Sequence, residues 1–382
     1  MKGREERVKG VWGVGFPATR STARVVAVAA ALLLYSLYSI FPAFAFDPVV
    51  PGKQLEFPLD YGAHPGHRIE WWYVTGHLEE IGPPPTRGRQ LGFQVTFFRV
   101  RNKDAESNPS RFAPKQLLFA HAALADPAIG KLLHGQKAAR ALEGLAEAAV
   151  GDTAVRIDDW SLVRQGGRYS TRVAAEGFEL DLTFAPTRAP LAQGDGGFSR
   201  KGPLPEHASY YYSEPQLEVS GRVSTRGTSR EVKGTAWLDH EWSSALLARE
   251  ASGWDWLGVN LDGGGALMAF RIRAADGSTL WSNATVQPSA TSPARVERGQ
   301  IEFKPTRTWK SPRTGVAYPV AMEVRVGAET WTVEPMMDDQ ELDARASTGT
   351  LYWEGAVRAR SASGAAGRGY LELTGYGERV PF

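Results

Sequence analysis

Hydrophobic and polar residues alternate along most of this 382-residue chain. From residue 54 onward, apolar side chains recur at every second position or in runs of four to eight, and Gly, Pro, Asp and Asn bound the segments. This pattern predicts β-strands. Sixteen segments fit it, eight within residues 69–237 and eight within residues 254–375, and eight strands in each half favour closed barrels. Only residues 135–150, rich in Ala, Leu, Glu and Lys, predict a helix.

The two series of strands and the length of the chain predict two β domains. No flexible linker separates the series, so we place the crossing near residues 241–253. The predicted protein is all-β, with two antiparallel β-barrel domains in tandem after an N-terminal segment. We place the segment at residues 1–45, the N-terminal domain at residues 50–243 and the C-terminal domain at residues 244–382.

An uncharged apolar run over residues 25–46 predicts export. The run ends in Ala43-Phe44-Ala45, a small-x-small pattern that a signal peptidase can cut after Ala45. The alternative is an uncleaved membrane anchor, because about 20 apolar residues span a bilayer. Both alternatives predict a protein in the periplasm or anchored to the outer face of the inner membrane.

Charge and cysteine content narrow the function classes. Residues 1–45 contain six basic and two acidic residues, a net charge of +4, whereas the whole chain has a formal net charge of +2. The body therefore has a net charge of −2, and its composition gives no support to nucleic-acid binding. The chain has no cysteine, which excludes disulfides, thiolate nucleophiles and Cys-ligated zinc.

Residues 236–244 hold the densest group of chemically active side chains. Asp239, His240 and Glu241 are consecutive, and Trp237 and Trp242 flank them. A carboxyl group against indole rings loses hydration of its ionised form, so its pKa rises and it can donate a proton near neutral pH. His240 can serve the same role. The alternative is structural, with Asp239 and Glu241 capping a turn and His240 packing or hydrogen-bonding locally.

Trp254-Asp255-Trp256 repeats the combination of acid and indole. In a strand, Asp255 points away from its neighbours, so one face carries both indoles and the other a lone carboxylate. A buried carboxylate needs a partner or a function. An exposed one is an ordinary strand residue with two core tryptophans behind it.

Residues 69–77 predict an aromatic strand with two covered faces. One face carries Trp71, Tyr73, Thr75 and His77, and the other carries Glu70, Trp72 and Val74. Inside a barrel, such a face suits an elongated apolar ligand, with Glu70 or His77 supplying the few polar contacts. An aromatic core strand is the alternative. Tyr211 and His121 suit either the rim of a pocket or ordinary packing.

Other sites find little support in the sequence. His64-x-x-His67 is the nearest approach to metal-ligand spacing, and it lies in a Gly/Pro loop, so we predict no metal site. No Gly-x-Ser-x-Gly motif, P-loop or dinucleotide fingerprint occurs.

Five motifs together resemble the AttH and carotenoid 1,2-hydratase family, in the right order over most of residues 50–380. They are Glu70-Trp71-Trp72-Tyr73-Val74-Thr75-Gly76-His77, Gln193-Gly194-Asp195-Gly196-Gly197, Ala208-Ser209-Tyr210-Tyr211-Tyr212-Ser213, Asp239-His240-Glu241-Trp242 and Gly253-Trp254-Asp255-Trp256. The resemblance implies two lipocalin-like barrels in tandem. It also implies cofactor-free hydration of the terminal double bond of acyclic carotenoids, in which an acid protonates the alkene and water captures the tertiary cation.

The His-x-Trp pattern of the hydratases falls on His240 and Trp242. Their Tyr-x-Asp pattern is replaced by the adjacent pair Trp254 and Asp255. Together with the leader, this difference places the chain nearer the exported AttH-like branch.

Two functions are therefore predicted from the sequence. The first is an exported, cofactor-free, hydratase-like enzyme for an isoprenoid, carotenoid-like or other long apolar substrate. The second is a non-catalytic periplasmic lipocalin-like carrier of an apolar ligand, linked to an exporter and associated with the membrane through its leader or ligand. The candidate catalytic residues are Asp239, His240, Glu241 and Asp255. The candidate substrate-binding residues are Glu70, Trp71, Trp72, Tyr73, His77, His121, Tyr211, Trp242, Trp254 and Trp256.

Overall fold

The computed structural model describes residues 46–82, 87–245, 247–299 and 301–379. The predicted leader over residues 1–45 lies outside the described residues. Within them, the only helices are two short 3-10 helices, Leu59–Tyr61 and Lys103–Ala105. No helix in these ranges has the length and hydrophobicity to span a membrane.

The first sheet contains thirteen antiparallel strands, in the order β4-β3-β2-β1-β13-β12-β9-β8-β7-β6-β5, with β10 and β11 added to β12. β4 also packs against β6 and β8, so the sheet curls into a barrel. The strands are β1 (Ile69–Ile81), β2 (Gln90–Arg101), β3 (Gln116–Asp126), β4 (Lys131–Arg140), β5 (Ala146–Ala148), β6 (Ala154–Ile157), β7 (Trp160–Gln165), β8 (Arg168–Ala175), β9 (Phe178–Ala185), β10 (Leu191–Ala192), β11 (Phe198–Arg200), β12 (Ala208–Thr225) and β13 (Thr228–Ser243).

The second sheet contains ten antiparallel strands, in the order β17-β16-β15-β14-β23-β22-β20-β19-β18, with β21 added to β22. It curls in the same way, because β18 packs against β15 and β16. The strands are β14 (Ala251–Leu261), β15 (Ala266–Ala274), β16 (Thr279–Gln287), β17 (Arg295–Arg298), β18 (Ile301–Lys310), β19 (Ala317–Val326), β20 (Glu329–Pro335), β21 (Glu341–Ala344), β22 (Thr350–Ser361) and β23 (Ala366–Thr374). An all-β fold with two barrel-like antiparallel sheets is thus confirmed.

The predicted helix over residues 135–150 is wrong. Residues 135–140 belong to β4 and residues 146–148 to β5. β4 pairs along its whole length with β3, from Asp126 opposite Lys131 to Leu117 opposite Arg140. Helix propensity is a weak prior, and here pairing with the edge of a long sheet overrides it. The expected eight strands in each half are also too few, because several strands of two to four residues carry no readable alternation.

Four groups of apolar side chains hold the described part of the molecule together, and the smallest of them, which includes Leu132, Leu342 and Tyr352, joins the two sheets. One fills the first barrel, around Trp72, Phe93 and Tyr212, and a second fills the other barrel, around Phe303, Trp331 and Trp353. A third group joins residues of both sheets and packs them against each other; it includes Tyr73, Tyr211, Trp237, Trp256, Phe270 and Tyr370. The first sheet ends at Ser243 and the second begins at Ala251, whereas the domain division at residues 243 and 244 stays a prediction.

Candidate active site

Alternation along the strands sorts the predicted site residues onto two faces of the first sheet. The residues that face the second sheet are Trp71, Tyr73, His77, His121, Tyr211, Asp239 and Glu241. The residues that point into the first barrel are Glu70, Trp72, His240 and Trp242. We expected the aromatic face of β1 to line the inside of a barrel. The structure instead turns Trp71 and Tyr73 toward a cavity between the sheets, and it removes His240 and Trp242 from that cavity.

The cavity has a volume of about 420 Å³ and is walled by both sheets. The first sheet contributes Trp71, Tyr73, Tyr211, Asp239 and Glu241, together with apolar residues such as Phe98 and Phe119. The second sheet contributes Trp254, Trp256, Phe270, Glu354 and Glu372. Four carboxyl groups and several aromatic faces therefore share one largely apolar space, whose volume is typical of small-molecule sites, about 300–1,000 Å³.

Asp239 is the acid most closely surrounded by neutral donors. Its Oδ1 accepts hydrogen bonds from Ser213 Oγ at 2.5 Å and from Trp237 Nε1 at 2.7 Å. Gln193 Nε2 donates to Ser213 Oγ at 2.8 Å and so fixes that hydroxyl. Burial, with a smaller contribution from the Glu241 charge, raises the pKa of Asp239 to about 7, even though the hydrogen bonds oppose the rise. A proton is therefore available on this carboxyl group near neutral pH.

Glu241 differs from Asp239 because it has a cationic partner. Lys201 Nζ lies 2.9 Å from Glu241 Oε1, and both residues line the cavity. An ammonium group at this distance stabilises the ionised carboxylate. Glu241 and Lys201 thus form an ion pair on the cavity wall.

Glu354 and Glu372 were missed by sequence reasoning. They lie directly opposite each other on β22 and β23, and both line the cavity. Burial raises the pKa of Glu354, and the neighbouring Glu372 charge adds to this rise. Burial also raises the pKa of Glu372 to about 7, although Thr374 and Trp254 donate hydrogen bonds to it. The available signal was a lone Glu between apolar strand residues, as in Leu371-Glu372-Leu373.

Two polar atoms on the cavity wall have no hydrogen-bond partner in the described part of the chain. They are the hydroxyl of Tyr73 and Oε2 of Glu354, and both residues are buried. A buried polar group without a partner is destabilising by about 1–3 kcal/mol. Water or a ligand in the cavity can supply the missing hydrogen bonds.

His240 belongs to a buried network inside the first barrel. Glu70 Oε1 lies 2.9 Å from His240 Nε2 and 2.7 Å from His64 Nδ1, and Arg99 Nε donates to Glu70 Oε2 at 2.8 Å. Burial alone would raise the pKa of Glu70, but hydrogen bonds from His240 and His64 hold it well below its usual range. Burial also lowers the pKa of His240. These hydrogen bonds and the Arg99 charge stabilise the ionised Glu70 carboxylate in the core.

His64, Glu70 and His240 are also the group, among the residues described, whose ligand atoms are close enough to hold a metal ion, all within 4.8 Å of one another. The guanidinium of Arg99 on the same carboxylate opposes a second cation there. His64 Nε2 also lies 3.0 Å from Asp60 Oδ1, so its ring is held on both sides. We interpret the group as a hydrogen-bonded network.

Asp255 lies on the other side of β14 from Trp254 and Trp256, as the alternation predicts. Arg271 Nε donates to Asp255 Oδ2 at 2.6 Å, and Arg273 Nε donates to Oδ1 at 2.9 Å. Tyr376 adds a hydrogen bond at 3.0 Å. The expectation that Asp255 shares a site with the two tryptophans is corrected, because its side chain points away from the cavity and is ion-paired.

Asp255→Asn is expected to destabilise the fold by about 2 kcal/mol, since the two arginines lose their charged acceptor. Ligand binding in the cavity should be unchanged at temperatures where the variant is folded. Urea unfolding measures the first effect, and Asp262→Asn on an exposed turn serves as the control. A stability equal to that of the wild type would contradict the role of this ion-paired cluster.

His77 and His121 contact the second sheet without lining the cavity. His77 Nε2 lies 3.0 Å from the carbonyl oxygen of Gly369, and His121 Nε2 lies 2.9 Å from Ser347 Oγ. Burial lowers the pKa of His77 to about 4 and that of His121 to about 3. Both rings are therefore neutral at physiological pH and serve the packing of one sheet on the other.

Solved structures of other proteins share this architecture. A protein of Nitrosomonas europaea, provisionally named AttH, is 54% identical with a TM-score of 0.81, and the match covers 87% of this chain and 100% of that one. Kievitone hydratase from Nectria haematococca is 16% identical with a TM-score of 0.62, over 88% of this chain and 99% of that one, a likeness in fold alone. The chain thus shares its overall fold with kievitone hydratase. No curated protein matches the chain significantly. The AttH-like family model matches residues 48–376, and the chain belongs to the AttH-like family.

Proposed function

We propose that the protein is an exported, cofactor-free, hydratase-like enzyme that adds water to a carbon–carbon double bond of an isoprenoid, carotenoid-like or other long apolar molecule. The observation that carries the proposal is the buried Asp239 carboxyl group on an aromatic, largely apolar cavity. Its pKa of about 7 leaves it partly protonated at neutral pH. An acid of this kind matches the requirement for a general acid that works near neutral pH.

The proposed reaction conserves atoms and charge. The Asp239 proton moves to one alkene carbon, the π electrons form the new C–H bond, and the other carbon becomes a cation. A water oxygen then bonds to that carbon. The proton released from the added water returns to the Asp239 carboxylate, so the enzyme is regenerated without a cofactor.

Aromatic walls support the cationic intermediate. A cation over an indole face is stabilised by about 0.5–2 kcal/mol, and more when water is excluded. Trp254, Trp256 and Trp71 all line the cavity. The indole of Trp256 is oriented by a hydrogen bond from its Nε1 to the Tyr211 hydroxyl at 3.2 Å.

The position of Trp256 also depends on Gly258. A Cβ atom at residue 258 would lie 2.4 Å from the Trp256 ring, so Gly258→Ala forces the indole to move. We expect about tenfold weaker binding of the neutral dye Nile red, with the fold retained. Gly263→Ala is the matched control, because a Cβ there meets no atom within 4 Å. Equal affinity in the two variants would argue against this cavity as the binding site.

A non-catalytic carrier of an apolar ligand is the second candidate. It is favoured by the same largely apolar cavity and by the Tyr73 hydroxyl on its wall, which has no hydrogen-bond partner among the described residues. A carrier does not need the protonated Asp239. Mass spectrometry of ligands that co-purify from the native host distinguishes a retained, unchanged molecule from a substrate and its hydrated product.

The enzyme proposal is tested by incubating the purified protein with acyclic carotenoids in ¹⁸O-labelled water. We expect one labelled oxygen in each product molecule. The absence of incorporation into every acyclic terpenoid supplied would reject the hydratase and leave the carrier. Export is tested separately, by fractionating cells that express the full chain and by sequencing the N-terminus of the recovered protein.

A further inference from the structure

The Glu354–Glu372 pair has no role in the proton transfer proposed for Asp239. The two side chains lie opposite each other on β22 and β23, and Glu372 is also the register partner of Trp256 on β14. Glu354 is 3% exposed, and its Oε2 has no hydrogen-bond partner among the residues described. Two like-charged groups in such a place repel each other and lose hydration. A ligand that compensates both effects would explain why this wall carries them.

Most of the titratable groups around the pair are carboxyl or phenol groups. The other titratable and charged groups that line the cavity are Asp239, Glu241, Lys201, Arg68, Tyr73, Tyr211 and Tyr352. Tyr370 is a further neighbour of Glu354. Lys201 is paired with Glu241, and the guanidinium of Arg68 lies 5.8 Å from the Phe46 ring. Among the described residues, no basic group lies within salt-bridge distance of Glu354 or Glu372. The second-sheet wall thus presents two carboxyl groups and aromatic faces to the interior of the cavity.

We propose that the Glu354–Glu372 pair, together with the indole faces of Trp254 and Trp256, is a binding site for a positively charged centre carried by an apolar molecule. Carboxylates attract the charge, and aromatic faces attract it further while they exclude water. A quaternary ammonium group is a stable centre of this kind. The carbocation of the hydration reaction is a transient one, and for that species the inference rests on the proposed function.

The site predicts a preference between two ligands of similar size. We expect octyltrimethylammonium to bind at least about tenfold more tightly than 1-octanol at about pH 8, measured by isothermal titration calorimetry. The preference should shrink at about pH 5.5, where protonation neutralises the pair. Equal affinities of the two ligands at both pH values would overturn the inference.

Two double variants test whether the preference for the ammonium ligand arises at the Glu354–Glu372 pair. Glu354→Gln with Glu372→Gln should remove the preference for the ammonium ligand while leaving 1-octanol binding unchanged. Glu302→Gln with Glu323→Gln, two acids on the exposed face of the second sheet, is the matched control and should keep the preference. A preference that survives in the first double variant would overturn the inference. If that variant fails to fold, Asp239→Asn provides the second test, since loss of the preference there would place the cation at Asp239 instead.

The outcomes also separate this inference from the hydratase proposal. An ammonium preference without incorporation of labelled oxygen rejects the hydratase and supports the cation site. Incorporation at the wild-type rate in the Glu354→Gln, Glu372→Gln variant, with no ammonium preference in the wild type, rejects the cation site and supports the hydratase.

Discussion

Asp239→Asn is expected to abolish water addition and, at about pH 8, to make the protein more stable than the wild type. The amide keeps an oxygen that accepts the hydrogen bonds of Ser213 and Trp237, but it has no acidic proton to donate. Loss of a general acid lowers the rate by about 100- to 10,000-fold. Labelled-oxygen incorporation measures this loss.

The gain in stability follows from the pKa of Asp239, which burial raises from an unfolded value of 3.8 to about 7. The unfolded chain therefore releases this proton first, and the folded state loses stability as the pH rises from about 4 to about 7. By linkage the loss is on the order of 2–4 kcal/mol. Asn cannot ionise, so the variant should unfold at a higher temperature than the wild type at about pH 8 and at nearly the same temperature at about pH 4.

Asp181→Asn is the control for both effects, because this carboxylate is 61% exposed on β9. It should change neither the rate nor the pH dependence of unfolding. A variant at Asp239 that retains the wild-type rate would exclude this residue as the proton donor. A variant that is less stable than the wild type at about pH 8 would show that Asp239 is ionised and well solvated in the folded protein.

Glu70→Gln is expected to be the most destabilising of these single changes. Glu70 is fully buried and accepts hydrogen bonds from the Arg99 guanidinium and from the backbone nitrogen of His64. Its removal leaves Arg99, which is 2% exposed, as an unpaired charge in the core. Breaking a buried ion pair in this way costs about 3–5 kcal/mol. Guanidinium unfolding measures the loss.

The pH dependence of the free energy of unfolding provides a second test of the role of Glu70. The folded-state pKa of Glu70 lies below its unfolded value of 4.5, so its contribution to stability is complete above about pH 4.5 and decreases as the pH falls. The difference between the wild type and Glu70→Gln should therefore narrow in acid. Glu79→Gln, on the same strand near its exposed end, is the control and should behave like the wild type. A constant difference from about pH 7 to pH 3 would contradict the role of an ionised Glu70.

Much of the fold follows from period-two alternation, because alternate side chains of a strand occupy opposite faces. This rule also separated Trp71 and Tyr73 from Glu70 and Trp72, as the structure has them. It failed over residues 135–150, where side-chain propensity favoured a helix and the edge of the first sheet required a strand. This strand pairing is a tertiary contact, so the sequence of residues 135–150 does not itself indicate it.

The candidate site could be only partly predicted from the sequence, because part of it forms only through tertiary packing. Asp239 was found because its tryptophan neighbours are adjacent in sequence. Glu354 and Glu372 become site residues only when the second sheet packs its outer face on the first. The prediction that Asp255 is a site residue was wrong. The strand register explains why, since Arg271 lies directly opposite Asp255 across the β14–β15 hairpin.

The cavity lies between two separately packed sheets, so ligand preference can differ between related proteins even when the lining residues are the same. Its width is set partly by contacts outside it, such as the His77 ring on the Gly369 carbonyl and the hydrogen bond from Arg368 Nη1 to Gln90 Oε1. Substitutions at these contacts would shift one sheet relative to the other and change the cavity width, while the apolar core of each barrel stays intact. Relatives with the same acids could thus accommodate molecules of different girth, and comparison of lining residues alone would not reveal the difference.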